Sequence, residues 1–349
     1  MAMATKSNGN GPERTFRPVP FDYLSCGPSA FPHANEVDES ALSKALVDVG
    51  AKYVLSATDK KPLLFFLEQV KGTLKIMRDA DMDIGEVNVV GAFAKGTTLS
   101  LGAVNEADVL VIVKSLPTAE SLIAKAHQFR EALKSNTLCD AFAVEERNYG
   151  FDVRDQTITV RVKFTVPANL IREHNPELHI DFNLLMDGVK TSKRTPWFIH
   201  RAKRSPLENF TRILLDVKSR FPGLQLLDDW HLELYAYHSL SGTAMTGQPV
   251  SLAQAFKRFF QLFAGGALLP NAPTLADPVS LPGPATPLTS GYSLEQMDII
   301  CQTAQAICRM ILMGRFYEVL GLLSIHEGDP LMFNEMAYNR EDDPSFAAQ

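Results

Sequence analysis

Cysteine is scarce in this chain. There are four in 349 residues, Cys26, Cys139, Cys301 and Cys308, and no two form a Cys-x-x-Cys pair. That excludes a zinc ribbon or finger and a disulfide framework, and points to a reduced, intracellular compartment. No apolar run is long enough to span a bilayer, and no signal-peptide pattern opens the sequence. An excess of positive charge is also lacking. Lys and Arg number 34 against 40 Asp and Glu, a net charge of −6, so the chain as a whole does not attract polyanions. Contact with nucleic acid then requires a local basic patch or a basic partner. What remains is the composition of an ordinary globular protein, long enough to bury a large core in two lobes.

The stretch around which the rest is organised runs from Val89 to Val113, VVGAFAKGTTLSLGAVNEADVLVIV. It reads as an apolar strand, a loop bracketed by Gly91 and Gly96, a polar connection, and a second apolar strand that opens with Glu106 and Asp108. Residues two apart on a strand share a face, so these two carboxylates project together near the mouth of the glycine loop. Free backbone N–H groups in such a loop suit phosphate. Paired carboxylates suit a divalent cation. The segment ELHIDFNL, 177 to 184, alternates apolar and polar residues as a half-buried strand would. On that reading Asp181 is a third carboxylate on a polar face, able to converge with Glu106 and Asp108 as a two-metal transfer site requires. His179 is a candidate ligand, or a hydrogen-bonded surface histidine. Lys95 is a candidate phosphate contact, or an exposed loop lysine.

Elsewhere the pattern is mixed in the first half and helical in the second. Helices are expected over 39–47, 61–77 and 119–134, and a strand over 157–164 with Arg161 and Lys163 on its polar side. From Pro206 onward the signal is helical. Leu207, Phe210, Ile213, Leu214 and Val217 form one stripe, stopped at Pro222. Further helices are expected around 229–239 and 252–264. Six prolines between Pro270 and Thr289 mark a long loop. Ser293 and Gln296 form a capping box that opens a long apolar helix to Leu312. Residues 1–17 read as a disordered tail and 324–349 as a mobile acidic one. The expected boundaries are therefore a first lobe over 18–205, with an N-terminal arm, and a helical lobe over 206–323. Lys190, Lys193, Arg194, His200, Arg201, Lys203 and Arg204 form the one basic run. It is either a nucleic-acid contact or the solvated connector between lobes. Trp197 and Phe198 within it could stack on a base or fill the core.

A glycine loop, an acid-x-Asp pair on a strand and a distant Asp together resemble the template-independent nucleotidyltransferases, which include poly(A) polymerases and oligoadenylate synthetases. A longer set of blocks is more specific: PFDYLSCGPSAFP, GAFAKGTT, ADVLVIVKSLPT, VPANL…PELHIDFNLL, RFPGL and LEQMDIICQTAQ resemble the DZF domain in order, over about residues 16 to 323. The resemblance implies an α+β fold, with a nucleotidyltransferase-like mixed-sheet lobe followed by an all-helical lobe. It implies a nucleotide site at Gly91, Ala92, Lys95 and Lys218, with Mg²⁺ and a nucleoside triphosphate held at Glu106, Asp108 and Asp181. Two departures stand out: Ala92 replaces the family serine that holds the terminal phosphates, and Glu106 replaces an aspartate. An extra methylene misplaces a carboxylate by about 1 Å, enough to cost on the order of 100-fold in rate. The expectation is a pseudo-enzyme. The alternative is an active transferase using Glu106, Asp108 and Asp181. The resemblance also implies a nuclear heterodimer, secondarily cytoplasmic, with a DZF partner bearing double-stranded-RNA-binding domains or zinc fingers. That complex would bind RNA or DNA and act in transcription and RNA metabolism, away from any membrane. Ile300, Ala304, Ile307 and Ile311 on the long helix are the expected dimer face.

Overall fold

The computed structural model describes residues 37–99, 104–134, 142–241, 249–272, 275–279 and 288–323. The expected N-terminal arm, both tails, Cys26, Cys139 and four of the six prolines of the long loop lie outside them.

A five-stranded sheet forms the centre of the first lobe. Its order is β1 (Ile84–Val90), β2 (Glu106–Val113), β5 (Thr159–Thr165), β4 (Gly150–Arg154) and β3 (Ala143–Arg147). β2 and β5 run parallel, and the remaining neighbours are antiparallel. The sheet is therefore mixed, as expected. β2 is an interior strand whose Val-Leu-Val-Ile-Val run is apolar on both faces; Val109, Leu110 and Val111 are fully buried. β5 alternates instead, burying Val160, Val162 and Phe164 and leaving Arg161 and Lys163 on the other face. Helices α2 (Ala57–Ala80) and α4 (Ala119–Lys134) pack beside the sheet through Leu63, Phe66, Leu67, Val70, Leu122, Ala126 and Phe129. Ser56 and Asp59 cap α2 reciprocally.

The β3–β4 hairpin was not visible as a pair of strands in the sequence. EERNYGFDVR is too charged to show alternation. Its charges neutralise one another across the ladder instead: Asp152 is bonded by Arg147, Arg154 and Tyr149.

The helical lobe has its own core. α6 (Leu207–Arg220), α8 (Asp229–Leu240), α9 (Leu252–Ala264) and α10 (Leu294–Leu312) supply most of it, with short α7 (Pro222–Gln225) and α11 (Phe316–Val319). All five residues of the expected α6 stripe are buried, each worth about 1.5–3 kcal/mol of hydrophobic stabilisation. The capping box of Ser293 and Gln296 is formed. One assignment changes. Helix α1 (Glu39–Lys52) precedes the sheet in sequence, yet Leu42, Ala45, Leu46 and Val49 pack in the helical core. The second lobe is thus closed by a helix from the start of the chain.

A second correction concerns α10. Ile300, Ala304, Ile307 and Ile311 are at most 2% exposed and lie inside the helical core. They are interior residues, not a dimer face. The helix carries extra apolar residues because it is packed on several sides within its own lobe. Its surface-exposed apolar residues are Leu294 at one end and Leu312 at the other, followed by Met313.

Helix α5 (Phe182–Ala202) links the lobes. Leu185 and Val189 belong to the sheet core and Phe198 to the helical core. The basic run therefore lies on the connector between the lobes, which is an ordered helix as far as Ala202, with Lys203 and Arg204 just beyond its end.

Candidate functional site at the entry of β2

The glycine loop and the acid pair meet as expected. β1 ends at Val90, directly opposite Asp108. Gly91 follows with φ +76 and begins the five-residue helix α3 (Gly91–Lys95), which Gly96 closes at φ +71. A Cβ on Gly91 would stand 2.8 Å from Asp108 Oδ2. Glycine is required there twice, by its backbone conformation and by the carboxylate packed against it. At Gly96 the helical lobe closes on the turn. Arg212 of α6 donates to the Gly96 carbonyl (2.8 Å) and to Glu208 (2.7 Å).

The third carboxylate does not join them. Residues 177–184 are not a strand. Ile180 is buried and its N–H donates to the Pro117 carbonyl, beyond the exit of β2. Asp181 is the N-cap of α5, accepting from Asn183 N (2.8 Å) and Leu184 N (3.3 Å). Glu106 and Asp108 lie at the entry of β2, and about 16 Å of strand separates Asp108 from Val113. An aspartate before an apolar helix is a cap signal, and ELHIDFNL satisfies it as well as it satisfies alternation. His179 accepts from Asn175 N at 2.9 Å, a local turn contact.

In place of a third acid the neighbouring strand supplies two cations. Asp108 pairs in register with Arg161, and Leu110 with Lys163. Arg161 reaches Glu106 Oε2 at 2.5 Å and Asp108 Oδ1 at 3.5 Å, while Lys163 lies 3.4 Å from Asp108 Oδ2. Although partial burial works against it, the ion pairs with Glu106 and Asp108 push the Arg161 pKa above its ordinary range. Across the strand on its other side Arg161 faces Asp152. Asp152 is buried. Burial opposes its ionisation, but hydrogen bonds from Tyr149 and Arg147 hold its carboxyl below the usual range. Asp108, Arg161, Asp152 and Glu145 thus form a ladder of cross-strand neighbours.

The two candidate phosphate lysines are also paired. Both reach α8. Lys95 bonds Glu233, and Lys218 lies 2.5 Å from Asp229, one turn earlier on the same face. Lys95 sits over the Phe198 ring at 5.6 Å from its centroid. The Glu233 side chain is 3% exposed. Burial pushes its pKa up, with partial relief from Lys95. Sequence reasoning passed over Glu233 because it sits in an otherwise apolar helix; only its reach to Lys95 marks it.

As paired here, Glu106 and Asp108 are not free to hold Mg²⁺ unless Arg161 and Lys163 move aside. The ion requires near-octahedral oxygen ligands with little distortion. Here two carboxylates are available, each paired to a guanidinium or an ammonium, and no group of three or more His, Cys, Asp or Glu side chains able to hold a metal occurs among the described residues.

The architecture places the molecule among two-lobed nucleotidyltransferase folds. It is similar to the structure of the E. coli MS115-1 CdnC:HORMA-deltaN complex, with a TM-score of 0.56 and 16% identity over 80% of this chain and 96% of that one. The same CdnC with ATP gives 0.53 and 16%, over 80% and 96%. The Cid1 poly(U) polymerase bound to MgATP gives 0.51 and 13%, over 85% and 98%. At these identities the likeness concerns the fold. Family membership is more specific. The DZF N-terminal domain matches residues 7–203 and the DZF C-terminal domain residues 207–337, and the chain belongs to the DZF family. The two domains meet where α5 gives way to α6.

Proposed function

We propose that this chain is a non-catalytic DZF subunit, a nucleotidyltransferase fold whose metal site has been replaced by an internal salt-bridge network. The observation that carries this is Arg161 opposite Asp108. Two-metal transfer needs acidic oxygens to hold both ions. A guanidinium across the strand pair puts a fixed positive charge where a cation would sit and occupies the ligands it would use. Ala92 in place of the family serine, and Glu106 in place of aspartate, point the same way. For that reason this chain would not hold the Mg²⁺–nucleoside triphosphate expected from the resemblance, although the CdnC and Cid1 structures include ATP and MgATP respectively. Nor does the active-transferase alternative with Glu106, Asp108 and Asp181 have its third residue in place.

The role left is assembly. The chain would pair with a second DZF protein carrying double-stranded-RNA-binding domains or zinc fingers, and act with it in the nucleus in transcription and RNA metabolism. With the Ile300–Ile311 face of α10 buried, the surface proposed for pairing is the apolar group at and just after its C-terminal end: Leu312 (48% exposed), Met313 (64%) and Tyr317 (38%).

The test of the catalytic half is incubation of the purified chain with labelled ATP or UTP, Mg²⁺ or Mn²⁺ and an RNA primer, beside isothermal titration of the same nucleotides with and without metal. No transfer and no metal-dependent binding is expected. The Arg161→Asp, Lys163→Ser variant should acquire Mn²⁺-dependent nucleotide binding, because it restores a third carboxylate beside Asp108 and removes both competing cations. Primer extension by the unmodified chain would overturn the reading.

A further inference from the structure

The basic run on α5 is the largest concentration of one charge sign that the site above leaves unused. Between Lys190 and Arg204 there are six Lys or Arg residues and no Asp or Glu, in a chain whose net charge is −6. α5 arranges them. Lys190, Lys193, Arg194, Trp197, His200 and Arg201 fall at i, i+3, i+4, i+7, i+10 and i+11, one face of a helix. Lys203 and Arg204 follow directly and are exposed, as are His200 and Arg201. The stripe from Lys190 to Arg201 is about 16 Å long at 1.5 Å per residue. A short single strand of a few nucleotides spans that length.

The stripe is interleaved with aromatic rings. The Arg194 guanidinium lies over Trp230 of α8 at 4.6 Å, anchored at 3.3 Å by Asp277. Arg201 lies over Trp197 at 5.9 Å and over Tyr237 of α8 at 5.2 Å. Trp197 meets both Trp230 and Tyr237 edge-on, each at 5.2 Å. The indole N–H of Trp197 is buried with no hydrogen-bond partner among the described residues. Nothing in the core requires an exposed arginine held over two rings. Guanidinium planes and aromatic rings are the surfaces on which unstacked bases rest, and flanking lysines meet the phosphates.

We infer that this face of α5, with Tyr237 of α8, is a binding surface for single-stranded RNA belonging to this chain itself. It is independent of the reading of the β2 site and of any RNA-binding module on a partner. A short single strand is favoured over a duplex because the stripe is one helix long and its aromatic groups need accessible base faces. It is favoured over an acidic protein surface because an acidic partner has no use for the stacked arginine.

The chain carries two tryptophans, Trp197 and Trp230, and both lie in this cluster. Intrinsic fluorescence therefore reports on the surface directly. The experiment titrates the full chain with a 12-nucleotide oligo(U) and a mixed-sequence RNA of the same length, reading tryptophan quenching and the anisotropy of a labelled copy at several salt concentrations. Binding with quenching is expected. The affinity should fall with salt at a log–log slope of about −3, as four to five phosphate contacts on a single strand give. Arg201→Glu with Arg204→Glu should weaken binding at least tenfold and flatten the slope. Lys44→Glu with Lys75→Glu makes the same charge change on exposed lysines elsewhere and should have little effect. Equal weakening by both pairs would reduce the effect to net charge and overturn the inference. So would competition by polyglutamate as effective as by RNA, or tighter binding of duplex RNA than of single strands. Absence of binding at low salt by a folded chain would also overturn it.

Discussion

Asp108 and Arg161 face each other across the parallel pairing of β2 and β5, with Oδ1 and Nη1 3.5 Å apart. The aspartate side chain is 20% exposed and its Oδ1 has no hydrogen-bond partner among the described residues, only this ion pair. Arg161→Ala therefore removes one of the two cations beside a largely buried carboxylate and leaves only Lys163 at Oδ2. The expected destabilisation is about 1–3 kcal/mol, measured by urea unfolding. Asp108→Asn in the same background should recover part of it, since the charge that Lys163 alone compensates is then gone. If Arg161→Ala proved neutral, the guanidinium would not be a structural substitute for a cation.

Gly91 is fixed by that same carboxylate. Alanine there would need a positive φ and would place its Cβ 2.8 Å from Asp108 Oδ2. Gly91→Ala is expected to lower stability by about 1–2 kcal/mol. Asp108→Ala should relieve the steric part of this, and leave the conformational part. Thermal unfolding of the two single variants and the double variant separates the two.

How much of this was written in the sequence depends on distance along the chain. The β2 strand, the carboxylate pair and the α6 stripe are local patterns, and each lies where periodicity put it; the glycine-bracketed segment lies between β1 and β2 as expected but winds into the short helix α3. Arg161 and Lys163 were correctly placed on the polar side of their strand. What periodicity does not carry is that this strand runs parallel to β2, 53 residues from Asp108 by number (161 minus 108), with Arg161 in register. Parallel pairing across an intervening helix and hairpin leaves no local signal. Asp181 failed for the opposite reason. Its local pattern was ambiguous between a strand and a helix cap, and Ile180, buried in either case, did not decide between them. The four α10 residues were correctly read as apolar and periodic. Their environment was misjudged, because α1 returning from the start of the chain helps to enclose that lobe.

Assembly can be separated from folding on α10. Ile307 is fully buried, so Ile307→Arg should abolish folding rather than pairing, with loss of the cooperative unfolding transition. Leu312→Asp with Met313→Asp alters exposed positions and should leave the melting temperature within a few degrees. The proposed DZF partner, co-expressed, should be recovered at least tenfold less well with this variant. Full recovery would move the pairing surface away from the end of α10.

Lys95 and Glu233 tie the glycine turn to the helical lobe, and their pairing predicts a pH dependence. Burial raises the Glu233 pKa above its ordinary value, and Lys95 offsets part of the rise. A carboxyl whose folded pKa is raised binds more protons in the folded state. Its contribution to stability is therefore greatest below the ordinary carboxylate range, and declines as pH rises through the folded value. Lys95→Met removes the offset and leaves Glu233 buried without its partner. The expected loss at pH 7 is about 3 kcal/mol, in the range for breaking a buried pair from one side. The loss should shrink as pH is lowered, because the carboxyl of the variant takes up a proton and then no longer needs a cation. Glu233→Gln with Lys95→Met removes both charges, so the double variant should be more stable than Lys95→Met alone at pH 7 and should lose the difference in pH dependence. Chemical denaturation of the four proteins at pH 5, 6, 7 and 8 measures this. A Lys95→Met penalty that stayed constant across that range would mean that Glu233 is already neutral in the fold, and that the contact with Lys95 is a hydrogen bond to a carboxylic acid rather than an ion pair.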